Sequence, residues 1–305
     1  MRSSGVTGRP GPSAVVRPVF VRGRMRLALG LALAAGCGSG TMAGAPAAPT
    51  APTAPSPVSS SSDTPASNPG NWTLVKSDDF DGGAVDGGLW DTHWHEASGD
   101  GKARFQAWYP SASGDGSTNV ALGGGTATIT AKQEAWYKGA SWARGGQGYD
   151  YSSGVLQDGF KRGYTYGYFE ARLRGPASNA RGTDADFFLF ARDFSWPPEV
   201  DVVEMPGTNA AAQFLTNVHW SDGGNKEDYR YIPVTTSDWH TYALLWQPGL
   251  LAWYVDGKEV RRTRDHVPTK EMFLDLAIEV NGGAGTPFTG IPRPARGRRR
   301  CRSTT

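Results

Sequence analysis

The chain has 305 residues, enough for one large domain with additional segments, and it is rich in glycine (41) and proline (21). Six arginines precede the first acidic residue, Asp63, and six follow the last, Glu279, so the net charge of +2 hides an uneven distribution. Between these ends, 19 basic residues stand against 29 acidic ones, a net charge of about −10. A nucleic-acid-binding domain should present a basic face, so the central part of the chain predicts no nucleic-acid partner.

Residues 1–37 are expected to be an N-terminal extension followed by a signal peptide. Basic residues up to Arg26 precede an apolar run at 27–35, which is too short to cross a membrane as a helix. The run ends in LAAGC, which resembles the lipobox of bacterial lipoproteins and makes Cys37 the expected site of lipidation. The expected location is therefore extracellular, with the lipid as the sole membrane anchor on the outer face of the cell membrane. Secretion after cleavage near Ala45 is the alternative.

Residues 38–70 are expected to form a linker, since Pro, Ala, Thr and Ser dominate this stretch. Such a composition cannot bury a core, and its prolines keep the chain extended. We therefore expect the N-terminal region to be disordered and to hold a folded domain, 71–290, away from the membrane or cell wall.

Short segments that alternate between apolar and polar residues fill the domain from residue 71 onward. NVALGGGTATITAK (119–132) indicates two strands joined by a glycine turn, and Asp256-Gly257 is typical of a hairpin turn. At least nine such segments occur, without a helical stripe. This pattern predicts an all-β fold of two stacked antiparallel sheets.

Residues 196–207, WPPEVDVVEMPG, place three carboxylates within six positions. Successive side chains of a strand point to opposite faces, so Glu199 and Asp201 share a face and Glu204 points away. A β-bulge at 202–203 would return Glu204 to the face of the other two acids. We therefore expect a bulge there, on a curved sheet that brings the three carboxyl groups together.

Three carboxylates on one face repel one another, which raises at least one pKa and can keep one acid protonated near neutral pH. A retaining glycosidase needs this combination, because one carboxylate attacks the anomeric carbon while one carboxyl group protonates the leaving oxygen. Solvated acids on a surface strand are the alternative. Aromatic residues on neighbouring segments favour a polysaccharide cleft, because the C–H faces of sugars pack on aromatic rings.

The run EVDVVE (199–204) matches the ExDxxE signature of glycoside hydrolase family 16, and other segments resemble strands of that family in the same order. These segments are SDDFDG (77–82), YGYFEARLRGP (166–176), NVHW (217–220), DWHTYALLW (238–246) and WYVDGKEV (253–260). The resemblance covers residues 71–290. It implies a concanavalin-like β-jelly-roll sandwich with a substrate cleft on its concave sheet.

The same resemblance implies a retaining, endo-acting hydrolase of a β-linked polysaccharide, with β-1,3- or β-1,3-1,4-glucan as the expected substrate. It makes Glu199 the nucleophile, Glu204 the acid/base, and Asp201 the residue that holds the nucleophile. A transglycosylase, a carbohydrate-binding jelly roll without catalysis and a truncated inactive enzyme are the alternatives.

Five further side chains are expected to contact the glycan. Trp196 is a candidate stacking platform, and Arg172 is included because its strand is expected beside the catalytic one. The others are His219, Trp220 and Phe188. A structural ion pair for Arg172 and a core position for His219 are equally consistent with the sequence.

No required cofactor and no metal centre are expected, because no His or Cys cluster has zinc-ligand spacing. Many members of the family carry a structural calcium, for which Ser77 to Gly82 offers oxygens. A monomer is expected.

Two segments depart from the family pattern. Glucan-cleaving members often carry WPAFW where this chain has DADFF (184–188), so two Trp positions hold Asp184 and Phe188. The family also ends in a strand similar to VDYVRVW, whereas residues 291–305 are an arginine-rich tail. A frameshift is our hypothesis for the tail, because its last residues, RSTT, can be encoded by CGG TCG ACT ACN, which contains codons for Val-Asp-Tyr two bases along. A basic tail that binds anionic wall polymer is the alternative.

Overall fold

The computed structural model describes residues 19–30, 72–94, 103–104, 107–110, 119–136, 149–176, 182–207 and 212–280. Within these ranges the chain forms strands and no α-helix. Accordingly, no helix in the described part is long and apolar enough to cross a bilayer.

Seventeen strands are described, in chain order. They are β1 (Val19–Gly30), β2 (Thr73–Asp78), β3 (Ala103–Arg104), β4 (Ala107–Trp108), β5 (Val120–Leu122), β6 (Ala127–Trp136), β7 (Tyr149–Ser152), β8 (Val155–Gln157), β9 (Gly167–Arg174), β10 (Thr183–Ala191), β11 (Glu199–Glu204), β12 (Gln213–Ser221), β13 (Asn225–Pro233), β14 (His240–Gln247), β15 (Leu250–Val255), β16 (Lys258–Thr263) and β17 (Met272–Val280).

Two sheets are built from these strands. The six-stranded sheet has the order β13-β12-β11-β10-β17-β8, and all its neighbours are antiparallel. The eleven-stranded sheet has the order β16-β15-β14-β9-β1-β6-β7-β4-β3, with β2 paired to β1 and β5 to β6. The acid run is β11, near the middle of the six-stranded sheet, so strands on both sides hold it in place.

The main core lies between the two sheets, because each contributes alternate side chains to it. On β10, Ala185, Phe187 and Leu189 are buried in this core. On β14, Tyr242, Leu244 and Trp246 belong to it, while Ala243 and Leu245 belong to a smaller cluster on the other face of the strand. The predicted all-β sandwich is therefore confirmed. The other face of β10 and β11, which points away from this core, carries the acidic side chains of both strands.

Strand β1 differs from the sequence-based expectation. Val19–Gly30 lies between β9 and β6 and runs parallel to both, whereas we expected disorder before residue 71. Valine, phenylalanine and leucine are common both in strands and in signal peptides. Composition alone therefore does not separate these two roles for VFVRGRMRLALG.

The remaining N-terminal and C-terminal predictions fall outside the described residues. Cys37, the linker 38–70 and the tail 291–305 all belong to this part of the chain. The domain boundaries at 71 and 290 likewise stay predictions.

Candidate active site

The predicted bulge in β11 is present. Opposite β11 on β10, Phe188 pairs with Asp201 and Phe187 with Val203, so Val202 is the extra residue. On β12, the partners of Asp201 and Glu204 are Asn217 and Leu215, two positions apart on a regular strand. Three steps along β11 thus match two along β12, and the side chains of Asp201 and Glu204 lie on one face. Glu199, two residues before Asp201, shares this face.

Trp253, a residue of the opposite sheet, contacts the backbone at the bulge. The indole Nε1 of Trp253, on β15, donates a hydrogen bond of 2.9 Å to the backbone oxygen of Asp201. Val200, Val202 and Val203 are buried in the core between the sheets. The backbone of the acid strand is therefore fixed by core packing, while its carboxylates face away from the core.

His219 pairs with Glu199 across the two strands and contacts Asp201. Its Nε2 lies 3.2 Å from Oδ2 of Asp201, and its Nδ1 lies 3.9 Å from Oε2 of Glu227. Burial alone would lower the pKa of His219, but the contacts with the two carboxylates outweigh it and the pKa is raised. His219 is therefore held beside the acid strand by its contact with Asp201.

The same three side chains have a spacing that could hold a cation. Glu199, Asp201 and His219 offer ligand atoms within 4.8 Å of one another. Because these groups are also the ones that the acid chemistry needs, their proximity does not define a separate metal site.

Glu204 lies among other carboxyl groups. Asp186 is its direct cross-strand partner on β10, and Asp184 lies two residues earlier on the same face. Burial and the nearby charges of Asp201, Asp184 and Glu199 raise the pKa of Glu204 well above its usual value. Within the described part of the chain its Oε2 is buried without a hydrogen-bond partner. Glu204 is therefore suited to carry a proton near neutral pH.

Two further acids of DADFF, Asp184 at a tryptophan position of the family and Asp186, belong to this environment. Asp184 and Asp186 are buried and hydrogen-bond to each other, and burial is the main reason that both pKa values are raised. For Asp184 the pKa rises to about 8. The sequence signal was the alternation in DADFF, which places both acids on the face of Phe188.

The expected glycan contacts divide into two groups. Trp196 is 47% exposed, and its ring lies 5.5 Å from that of His219, so both are close to the acids. Phe188 lies on the same face as Asp201, but it is only 2% exposed because it packs beside Trp94. The expected sugar contact of Phe188 is therefore not supported.

Arg172 and Trp220 lie elsewhere, which corrects two expectations. Arg172 is on β9 in the other sheet, paired to β14, with its guanidinium 5.1 Å from the ring of Trp239. The assumption that its strand lies beside the catalytic one is wrong. Trp220 follows His219 and so points to the opposite face, where it packs against the core and stacks on His266 at 3.7 Å.

Two exposed tyrosines were missed. Tyr229 and Tyr231, on β13, pair with Asn217 and Leu215, so they share the face of the three acids. Their signal was the alternation in EDYRYIP, directly after the NVHW strand. Because this segment is short and polar, its sequence does not distinguish a glycan-facing strand from a solvent-exposed edge strand.

Comparison with known proteins agrees with this geometry. "Endo-1,3-1,4-beta-glycanase ExsH" of Rhizobium meliloti is 33% identical over 67% of this chain and 44% of that protein. "Endo-1,3-1,4-beta-glycanase EglC" of the same organism is 34% identical over 55% of this chain and 35% of that protein. The chain thus spans less than half the length of these two relatives.

The fold has solved counterparts. The laminarinase catalytic domain from Thermotoga maritima MSB8 superposes with a TM-score of 0.55 over 70% of this chain and 88% of that chain, at 22% identity. The family model "Glycosyl hydrolases family 16" matches residues 107–284, which include all three acids of β11. With the ExDxxE run on a bulged strand of a jelly-roll sandwich, this chain belongs to glycosyl hydrolase family 16.

Proposed function

We propose that this chain is a retaining, endo-acting glycosidase that hydrolyses a β-linked polysaccharide, with a β-1,3- or β-1,3-1,4-glucan as substrate. The observation that carries the proposal is the bulge at Val202, which puts Glu199, Asp201 and Glu204 on one face. The family membership and the printed names of the relatives support the substrate class.

In the first step Glu199, as carboxylate, attacks the anomeric carbon while Glu204 gives its proton to the leaving oxygen. The glycosidic C–O bond breaks, an ester forms between Glu199 and the sugar, and the leaving chain departs as an alcohol. Glu204, now ionised, then takes a proton from water, whose oxygen attacks the anomeric carbon and releases Glu199. Two inversions give net retention.

Asp201 and His219 lie beside Glu199 and Glu204 and influence them through charge and contact. Asp201 lies between Glu199 and Glu204, and its negative charge helps to keep Glu204 protonated. His219, 3.2 Å from Asp201, limits the directions in which that carboxylate can turn. The charge of Asp201 therefore favours Glu204 as the protonated acid.

The test is incubation of the protein with laminarin, lichenan, agarose, carrageenan and succinoglycan-type polymers, followed by sizing of the products. We expect medium-length products from a β-glucan and none from Glu199→Gln or Glu204→Gln, both of which should remain folded. Near-normal hydrolysis by either variant would contradict the assignment. Binding without cleavage on every polymer would favour a non-catalytic jelly roll, and products longer than the substrate would favour a transglycosylase.

We also propose that the chain is exported and anchored by lipid at Cys37, with 38–70 as spacer. Cleavage before Cys37 would remove β1, which separates β9 from β6, so the exported domain would need another strand there. A frameshift that replaced a last strand by the arginine-rich tail is consistent with this need. Reading the gene in the other frames past codon 285 tests the frameshift, and mass spectrometry of the mature N-terminus tests the lipid.

The remaining expectations are proposals of the same kind. We propose a monomer that needs no cofactor. The structural calcium expected near Ser77 to Gly82 has a competing interaction, because the two oxygens of Asp78 accept hydrogen bonds from Phe80 N and Trp90 Nε1. Thermal unfolding with and without a calcium chelator tests whether an ion is held there.

A further inference from the structure

Exposed aromatic side chains are concentrated beside the acid strand. In the described part of the chain, four large hydrophobic residues are strongly exposed: Phe160, Trp196, Tyr229 and Tyr231. Trp196 precedes the acids directly, and the two tyrosines lie on β13, at the edge of the same sheet. Each tyrosine is 50% exposed.

Strand register places the tyrosines in line with the acids. Tyr229 pairs with Asn217, which pairs with Asp201, and Tyr231 pairs with Leu215, which pairs with Glu204. Side chains directly opposite each other in a sheet share a face, so both rings belong to the face of the acids. Two strand spacings separate β13 from β11, roughly 10 Å.

The two rings form a unit of their own. Their centroids lie 5.9 Å apart with an interplanar angle of 79°, so one ring meets the other edge-on. Such a contact stabilises the ring orientations, and tyrosine presents a large contact area with few rotatable bonds. Tyr231 is also close enough to the acids that burial, Tyr229 and the carboxylates of Glu204 and Asp184 raise its pKa. Its phenol therefore stays a neutral hydrogen-bond donor near the site.

Polar side chains adjoin the pair. Glu227 lies in register with His219 and accepts a hydrogen bond of 3.1 Å from Nδ2 of Asn217. Aromatic faces for the C–H groups of a sugar and carboxylate or phenol groups for its hydroxyls are the combination that a glycan site uses. An edge strand that served only as a solvated border would need no exposed rings.

We propose that Tyr229 and Tyr231 form an aromatic platform that binds a pyranose ring of the polysaccharide, beyond the sugars that meet Glu199 and Glu204. The substrate class rests on the proposed function. Because the platform lies to the β13 side of the acids, it engages only chains long enough to extend across β12. It therefore distinguishes long polysaccharides from short glycosides.

The test measures binding without turnover. Glu199→Gln of the full chain is run in native gels that contain laminarin or lichenan, alone and combined with Tyr229→Ala plus Tyr231→Ala. We expect the polysaccharide to retard the single variant and the added alanines to weaken the apparent affinity about tenfold, which corresponds to about 1.4 kcal/mol. Tyr231→Phe should keep the retardation, since its ring remains.

A matched control is Tyr254→Ala, a partly buried tyrosine in the other sheet. It should leave retardation unchanged, and thermal unfolding of every variant verifies the fold. In the active enzyme, Tyr229→Ala plus Tyr231→Ala should raise KM for the polysaccharide about tenfold without lowering kcat. The kinetics on a short aryl glycoside should stay unchanged.

Unchanged retardation in the double-alanine variant, or no retardation of Glu199→Gln by either polysaccharide, would overturn the platform. Its failure is distinct from failure of the proposed function. Cleavage by the wild type with unchanged binding in the tyrosine variant rejects the platform alone. Binding that depends on the tyrosines, without cleavage by the wild type, rejects the hydrolase alone.

Discussion

Trp253 donates its indole N–H to the backbone oxygen of Asp201 at 2.9 Å, across the core from one sheet to the other. The acceptor lies at the bulge that returns Glu204 to the face of Glu199. A residue that touches no substrate therefore helps to set the geometry of the acids.

Trp253→Phe should lower kcat as well as stability. The variant removes the hydrogen bond, worth about 0.5–1.5 kcal/mol, and leaves a small cavity near the bulge. Trp246→Phe is the control, because Trp246 is equally buried but donates to Pro268 at 3.0 Å, away from β11. Thermal unfolding should show comparable losses in both variants, and steady-state kinetics should show a lower kcat in Trp253→Phe alone. Equal kcat values in the two variants would show that this hydrogen bond does not set the geometry of the acids at the bulge.

The carboxyl cluster should set the alkaline limit of activity. The charge of Asp184 raises the pKa of Glu204, and the pKa of Asp184 itself is about 8, so this charge develops in the alkaline range. Asp184→Asn removes it and should lower the pKa of Glu204. The acid then loses its proton at lower pH, and the alkaline limb of the kcat/KM profile should move to lower pH.

Asp193→Asn is the control for this profile, since Asp193 is exposed and pairs with Lys270. It should leave both limbs where they are in the wild type. An alkaline limb that stays in place in Asp184→Asn, or moves to higher pH, would contradict the role of the cluster.

A buried ion pair should matter more to stability than an exposed one. Lys76 and Asp158 meet at 2.8 Å with almost fully buried side chains, and Tyr164 also donates to this carboxylate. Lys76→Met leaves Asp158 without its cation and should cost about 3–5 kcal/mol of unfolding free energy. The pair of Lys161 and Asp91, whose side chains are 25% and 18% exposed, gives the comparison, and Lys161→Met should cost about 1 kcal/mol or less. Denaturant unfolding measures both, and similar losses would contradict the prediction.

Removal of β1 should destabilise the eleven-stranded sheet. A chain that begins at residue 38 leaves the facing edges of β9 and β6 without their ladder partner, and open edges promote aggregation. Compared with a chain lacking only residues 1–18, it should unfold at lower temperature and elute in part as aggregates on size exclusion. Identical melting and elution of the two chains would show that β1 is dispensable.

The local features of the site were predictable where they follow from alternation. Because a strand has a period of two, the spacing of Glu199, Asp201 and Glu204 required a bulge if all three were to act together, and the bulge is present. The same period places His219 with the acids and Trp220 opposite to them.

The missed features depend on contacts between distant segments. Alternation places Phe188 on the face of the acids, but Trp94, far away in the sequence, packs over its ring. The expectation for Arg172 rested on the resemblance of its segment to a family strand, which does not establish which sheet that strand joins. Tyr229 and Tyr231 alternate in register with the acids, so their side chains lie on the same face. Their place beside the acids also requires β13 to be an edge strand next to β12, which only the sheet order reveals.

The most direct test of the account is to trap the glycosyl-enzyme. The wild type is incubated with an activated 2-deoxy-2-fluoro glycoside of a β-glucan oligosaccharide, digested, and mapped by mass spectrometry. We predict one added fluoro-oligosaccharyl group, on Glu199, and products of retained configuration when the enzyme acts on the unmodified polysaccharide. A label on Glu204, or inverted products from an enzyme that turns over without a trapped sugar, would contradict the assignment of nucleophile and acid.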